Sequence, residues 1–149
     1  MSETTPNFAM PLLHVGQAAK ELTHNEALIL VDALLRGQAE AIIDDPGTIA
    51  AIAAGDLWIV GESPVGDWAG RANALALATV AGWRFVMPVD GQGIFLKSEE
   101  CRAMFDGGWQ LAPEIAPVAS SSTEDAGARA QLAEIIAALA TAGIVRIPI

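Results

Sequence analysis

The chain has 149 residues, and its 18 Asp and Glu against 8 Lys and Arg give a formal charge of −10 at pH 7. The basic residues are scattered, never three together, which argues against a nucleic-acid partner because phosphate recognition needs clustered Lys and Arg. The length sets one domain with an appended helix, enough to bury roughly two thirds of the unfolded surface. The opening Met-Ser-Glu-Thr-Thr-Pro lacks the basic region and apolar core of a secretory signal. No apolar stretch reaches the ~20 residues of a membrane span. The expectation is a soluble protein made in the cytoplasm, without a membrane partner. Apolar residues make up 52% of this acidic chain, so some apolar surface is expected to be covered by other subunits.

Residues 1–22 read as an irregular docking segment, flexible over 1–10, with Gly16 as a break. Thr23-His24-Asn25-Glu26 has the form of a capping box, in which Glu26 reaches back to the amide of the cap residue. Leu22 is placed to pack on Ala27 as a staple. A helix is predicted over 23–37, with Ala27, Leu28, Val31, Leu34 and Leu35 at helical spacing, Leu30 widening the stripe, and Arg36-Gly37 ending it.

The period then changes, and 38–111 read as a β domain. Glu40 to Ile43 is a predicted strand closed by the turn Asp44-Asp-Pro-Gly47. Thr48 to Ala54 is compatible with a helical turn or a loop. Further strands are predicted at Leu57–Val60, Ala74–Thr79, Trp83–Met87 and Ile94–Lys97. Cys101–Phe105 and Trp109–Leu111 meet across Asp106-Gly-Gly108, a short-hairpin signal. Glycine-punctuated short strands point to a small antiparallel meander or barrel-like sheet. The lone Cys101 reads as a small buried residue.

Residues 112–123 form a linker rich in Pro, Ala and Ser. A second helix is predicted over 124–143, with Ser121-Ser-Thr-Glu124 as a capping box. Along it Ala128, Leu132, Ile135, Leu139 and Ala142 step by 4, 3, 4 and 3, the spacing of a heptad seam. An isolated helix of this length is marginal in water. The seam therefore packs on this chain's own domain or forms an intersubunit bundle. The apolar tail 144–149, with Ile144 and Ile147, is expected to add a strand or dock into a neighbour. The predicted class is α+β: an N-terminal helix, the β domain, and a C-terminal helix of oligomerisation type.

Residues with catalytic potential are present without the spacing that chemistry needs. His14 and His24 with one cysteine do not assemble a zinc set. Asp56, Glu62, Asp67 and Asp90 lie on predicted loops, where a glycosidase pair would require separations of about 5 to 9.5 Å. Gly91-Gln-Gly93 is too short for a phosphate fingerprint, and Gly-x-Ser-x-Gly does not occur. No catalytic residue, cofactor or metal is expected. All four tryptophans, Trp58, Trp68, Trp83 and Trp109, fall in the β domain, and tyrosine does not occur. Trp58, Trp83 and Trp109 read as core. Trp68 lies in a loop with Asp67, Arg71 and Asn73 and is the best candidate for a saccharide-stacking platform.

Three runs carry a resemblance: Gly16-Gln-Ala-x-Lys-Glu-x-Thr-His-Asn-Glu-Ala27, Gly66-x-Trp-Ala-Gly70, and Gly82-Trp-Arg-Phe-x-x-Pro88. From about Phe8 to Leu111 the chain resembles a family of phage-type structural proteins found in tail fibres, spikes and gene transfer agent particles. The resemblance implies a non-enzymatic particle component, a base or adaptor that becomes part of a virion-like assembly. Its partners would be sister chains and other phage-like capsid, spike or tail proteins. Candidate assembly residues are Gln17, Thr23, His24, Asn25 and Glu26 in the first block, and Leu132, Ile135, Leu139, Ile144 and Ile147 at the C-terminal end. The alternative is a small carbohydrate-binding module that uses Trp68 to hold a cell-surface polysaccharide.

Overall fold

The structure, a computed structural model, describes residues 3–14, 16, 20–115 and 126–147. Its elements are helix α1 (Lys20–Arg36), strands β1 (Gln38–Ala39), β2 (Ile42–Ile43), β3 (Leu57–Val60), β4 (Leu75–Thr79), β5 (Gly82–Val86), β6 (Gly93–Leu96), β7 (Cys101–Phe105) and β8 (Trp109–Leu111), and helix α2 (Ala126–Thr141). The α+β class is as predicted. The strands form two four-stranded sheets, in the orders β1-β6-β7-β8 and β2-β3-β4-β5.

Both sheets are mixed, which corrects the antiparallel expectation. β1 runs parallel to β6 and β2 parallel to β3. The strand expected at Glu40–Ile43 is divided between the sheets. Gln38 and Ala39 pair with Phe95 and Leu96, and Ile42 and Ile43 pair with Ile59 and Val60. At the crossing, the amide of Glu40 donates to Leu57 (2.8 Å) and its carbonyl accepts from Ser98 (3.0 Å), so the backbone stays bonded as it changes sheet. The remaining pairings are antiparallel, and the Asp106–Gly108 hairpin joins β7 to β8 as predicted.

The main core lies between the sheets and under α1. It is built from Leu57, Ile59, Leu75, Leu77, Ile94, Leu96 and Ala103, with Ile29, Leu30, Ala33 and Leu34 of the helix packed on it. The helical stripe is thus rotated from the predicted one: Val31 and Leu35 face solvent, and so does Leu22, which makes no staple. Cys101 is buried in β7.

A second layer covers the outer face of β3 and β4. The alternation along β4 has a plain function: Leu75 and Leu77 fill the main core, while Ala74, Ala76 and Ala78 face outward and leave depth for indole rings. Trp58 and Trp68 each meet Trp83 edge to face, with centroids 5.5 and 5.0 Å apart, the geometry that ring quadrupoles favour.

The capping box at Thr23 is also corrected. The helix begins at Lys20, so Thr23 to Glu26 lie inside it. The chain preceding the helix is met by Glu21, whose carboxylate accepts from the amide of Gly16 at 3.4 Å. Residues 3–12, of which 3–10 were expected to be flexible and 11–12 irregular, form a small hairpin with Thr4 bridged to Pro11. Two side chains of α1 seven residues apart hold this segment. Asn25 bonds both the amide (2.9 Å) and the carbonyl (3.0 Å) of Leu13. Asp32, fully buried, accepts from the Thr5 hydroxyl (2.6 Å), the Asn7 amide and side chain (2.9 and 2.8 Å) and the Phe8 amide (2.8 Å). The hairpin seats on the sheet through Pro6 and Gly55; a Cβ on Gly55, whose φ is +96°, would fall 2.5 Å from the Pro6 Cβ.

α2 ends in a Schellman arrangement. The amide of Ile144 donates to Leu139 and that of Gly143 to Ala140, both at 2.9 Å, with Gly143 at φ +70°. The Gly143 carbonyl then accepts from the Arg102 amide of β7 at 2.9 Å. The tail pairs with its own chain: Arg146 bridges to Glu114 in parallel, and Val145 is buried. The predicted box at Ser121–Glu124 and most of the predicted linker lie outside the described residues, as do Pro148 and Ile149.

Burial pushes the Asp32 carboxyl up, but the bonds from Thr5, Asn7 and Phe8 outweigh it and hold the group below its ordinary value of 3.8. A carboxyl depressed by folding stabilises above its unfolded pKa, and that stabilisation is lost as pH falls through the folded value. Asp32→Ala, which strands these donors, should cost about 3 kcal/mol or more in urea unfolding at pH 7. The gap between wild type and Asp32→Asn should shrink as pH is lowered below 3.8; a constant gap from pH 7 to pH 2 contradicts the assignment. For the outer layer, Trp68→Ala should cost about 3 to 5 kcal/mol, read as a lower thermal midpoint; an unchanged midpoint would show that Trp68 does not support this layer.

Candidate assembly surface

α2 is sixteen residues long, yet no side chain from Gly127 to Thr141 is buried. Arg129, Ile136, Leu139 and Ala140 are half-buried. At 3.6 residues per turn, Ile136, Ala140 and Gly143 share one side of the helix, and Gly143 rests 3.4 Å from the Arg102 side chain and 3.5 Å from Phe95. The seam of Ala128, Leu132, Ile135 and Leu139 lies roughly a quarter-turn round from that side. Leu132 is 59% and Ile135 54% exposed. The predicted spacing is therefore present on a real helix, with Leu132 and Ile135 open to solvent and Leu139 half-buried.

Two clefts flank the root of α2. One, of about 450 Å³, lies between Phe95, Lys97 and Glu100 on the sheet and Ala140 and Thr141 on the helix. The other, about 340 Å³, runs past Met104, Leu111 and Pro113 to Ile144. Ile144 and Ile147 are exposed beside it, so the C-terminal apolar surface continues past the end of the helix.

The N-terminal candidates divide differently. Thr23 and His24 lie exposed on α1. Asn25 is occupied by Leu13, and Glu26 forms an ion pair with Arg84 of β5, so these two join parts of one subunit. Gln17 lies outside the described residues.

The saccharide platform is a correction. Trp68 is fully buried, because the 3-10 turn Gly66–Trp68 folds its ring under the loop and against Trp83. Its expected companions serve separate ends. Asp67 is exposed, the Arg71 guanidinium stacks 5.1 Å over Phe85, and the Asn73 carbonyl accepts from the Trp109 indole at 2.9 Å. No indole face at Trp68 is available to a sugar. Among the loop acids, Asp56 accepts from the Ala53 amide (2.9 Å) and Asp90 from the Gly107 amide (3.1 Å), both as turn supports. His14 and His24 are exposed, and no group of three metal-ligating side chains occurs among the described residues.

Asp32 and Glu21 were missed from sequence. The available signal was an acid of low helix propensity set between apolar neighbours at Val31 and Ala33. Among the described residues no helix is long and apolar enough to cross a membrane.

No curated protein matches the chain. The strands of both sheets, up to Gln110 of β8, and the tryptophan layer fall within residues 24–110, the span matched by the model of the family described as "protein of unknown function (DUF2793)". That span is more than half of the 149 residues, and the chain belongs to this family.

Proposed function

We propose that the protein is a non-enzymatic structural component of a phage-like particle, a base or adaptor of a spike or fibre in a prophage or gene transfer agent, assembling through its helices. The observation that carries the assembly part is the open arc of α2, with Leu132 and Ile135 more than half exposed on a helix that buries none of its described side chains. Such a helix is marginal unless covered, and exposed apolar surface of this kind marks contact with another macromolecule. The particle part is supported by the resemblance carried by the Gly16–Ala27, Gly66–Gly70 and Gly82–Pro88 runs.

Two measurements test this reading. Light scattering at micromolar concentration should give an oligomeric mass for the wild type. Leu132→Asp or Ile135→Asp should weaken association by at least ~100-fold, about 3 kcal/mol for a charge forced into an apolar contact. The thermal midpoint of the separated subunit should remain unchanged, since neither side chain is buried in it. A monomeric wild type defeats the assembly part. Mass spectrometry of purified phage-like particles from the producing cell should find the chain as a stoichiometric component; particles without it defeat the particle part.

A further inference from the structure

We infer that residues 3–13 are a latch that opens as a unit while both sheets stay closed, and that the Asp32 carboxylate is its catch. The latch is separate from any assembly through α2. Three observations carry it. The first is how little the segment buries. Of residues 3–13 only Thr5 is buried, and Phe8, the largest side chain among them, is 52% exposed. Neither of the two described cores draws a residue from this segment. Apolar area removed from water is what makes an element costly to open, so the hairpin can leave without breaking into either core.

The second is how it is held. Its backbone pairs with itself: the Thr5 amide donates to the Met10 carbonyl and the Leu12 amide to the Glu3 carbonyl, both at 2.9 Å. These bonds travel with the hairpin. Side chains of α1 tie it to the body: Asp32 through four bonds, Asn25 through two, and Arg36 through a 3.3 Å bond to Asn7 Oδ1. On opening, such attachments are exchanged for water, and the Asp32 charge regains its hydration. Core side chains have no such return.

The third is convergence. Four of the bonds to the body end on one carboxylate, from the Thr5 hydroxyl, the Asn7 amide and side chain, and the Phe8 amide. The Thr5 hydroxyl also accepts from the Met10 amide at 2.9 Å, so the catch reaches across to the second arm of the hairpin. Few buried apolar contacts and bonds that water can replace are the marks of a segment that opens below the free energy of global unfolding. Removing one charge therefore loosens the whole segment.

Native-state amide exchange on the full chain, read by NMR in rising urea below the unfolding transition, tests the latch. The Asn7, Phe8 and Met10 amides should exchange faster than those of Ile59 and Val60, which are bonded between strands. Their rates should stay nearly flat as urea rises, because a local opening exposes little surface. Equal rates and equal urea slopes at all five amides would mean that the hairpin opens only with the whole molecule, and would overturn the inference. Asp32→Asn tests the catch. It should speed exchange at Asn7, Phe8 and Met10 by ~100-fold, the loss of about two bonds to a charged acceptor. The fluorescence spectrum of the tryptophans, all of which lie outside residues 3–13, should remain that of the wild type. Wild-type exchange rates in Asp32→Asn overturn the role of Asp32. A variant whose tryptophan emission moves to that of the unfolded chain would make Asp32 a support of the whole body, and that too overturns the latch.

Discussion

The six residues from Gln38 to Ile43 are the constraint on which the rest of the fold depends. They leave α1 through Gly37, supply an edge to one sheet, cross at Glu40, and supply an edge to the other. Each pairing is only two residues long and contributes little alone. Their value is geometric: they fix the separation and rotation of the two sheets, and so the space that Leu57, Ile59, Leu75, Leu77, Ile94 and Leu96 fill. Ion pairs from Arg36 and Lys97 converge on Glu40 at the crossing, but they are partly exposed and secondary to the backbone bonds.

α1 joins this arrangement to the N-terminal hairpin in an unusual way, through polar groups in place of apolar area. Asp32 would be costly to bury alone, and it is tolerated because four donors from Thr5, Asn7 and Phe8 converge on it. The result is a helix with two working sides. One is apolar and lies on the sheets; the other is polar and, through Asn25 and Asp32, binds the chain's own start. Asn25 and Glu26 of the N-terminal block of the resemblance are thereby spent on internal contacts, whereas α2 buries none of its described side chains.

Much of this was legible in the sequence where a pattern had length. Five-residue β7, the glycine hairpin to β8, the end of α1 at Gly37 and the heptad spacing of α2 were all readable, because period and turn chemistry act locally. The parallel pairings were not, since strands as short as Gln38–Ala39 show no period. Thr23–Glu26 satisfied a capping pattern inside a helix that starts earlier, at Lys20. Trp68 was misplaced because a loop position says nothing about which way a tight 3-10 turn aims its side chain. The alanines at 74, 76 and 78 held the missing information: a strand face that thin needs something large laid over it.

The joint at Gly143 has a mechanical consequence. Gly143, at φ +70°, turns the chain out of the 16-residue α2, and a 10° change of angle there would carry the far end of the helix about 4 Å, given a length near 24 Å.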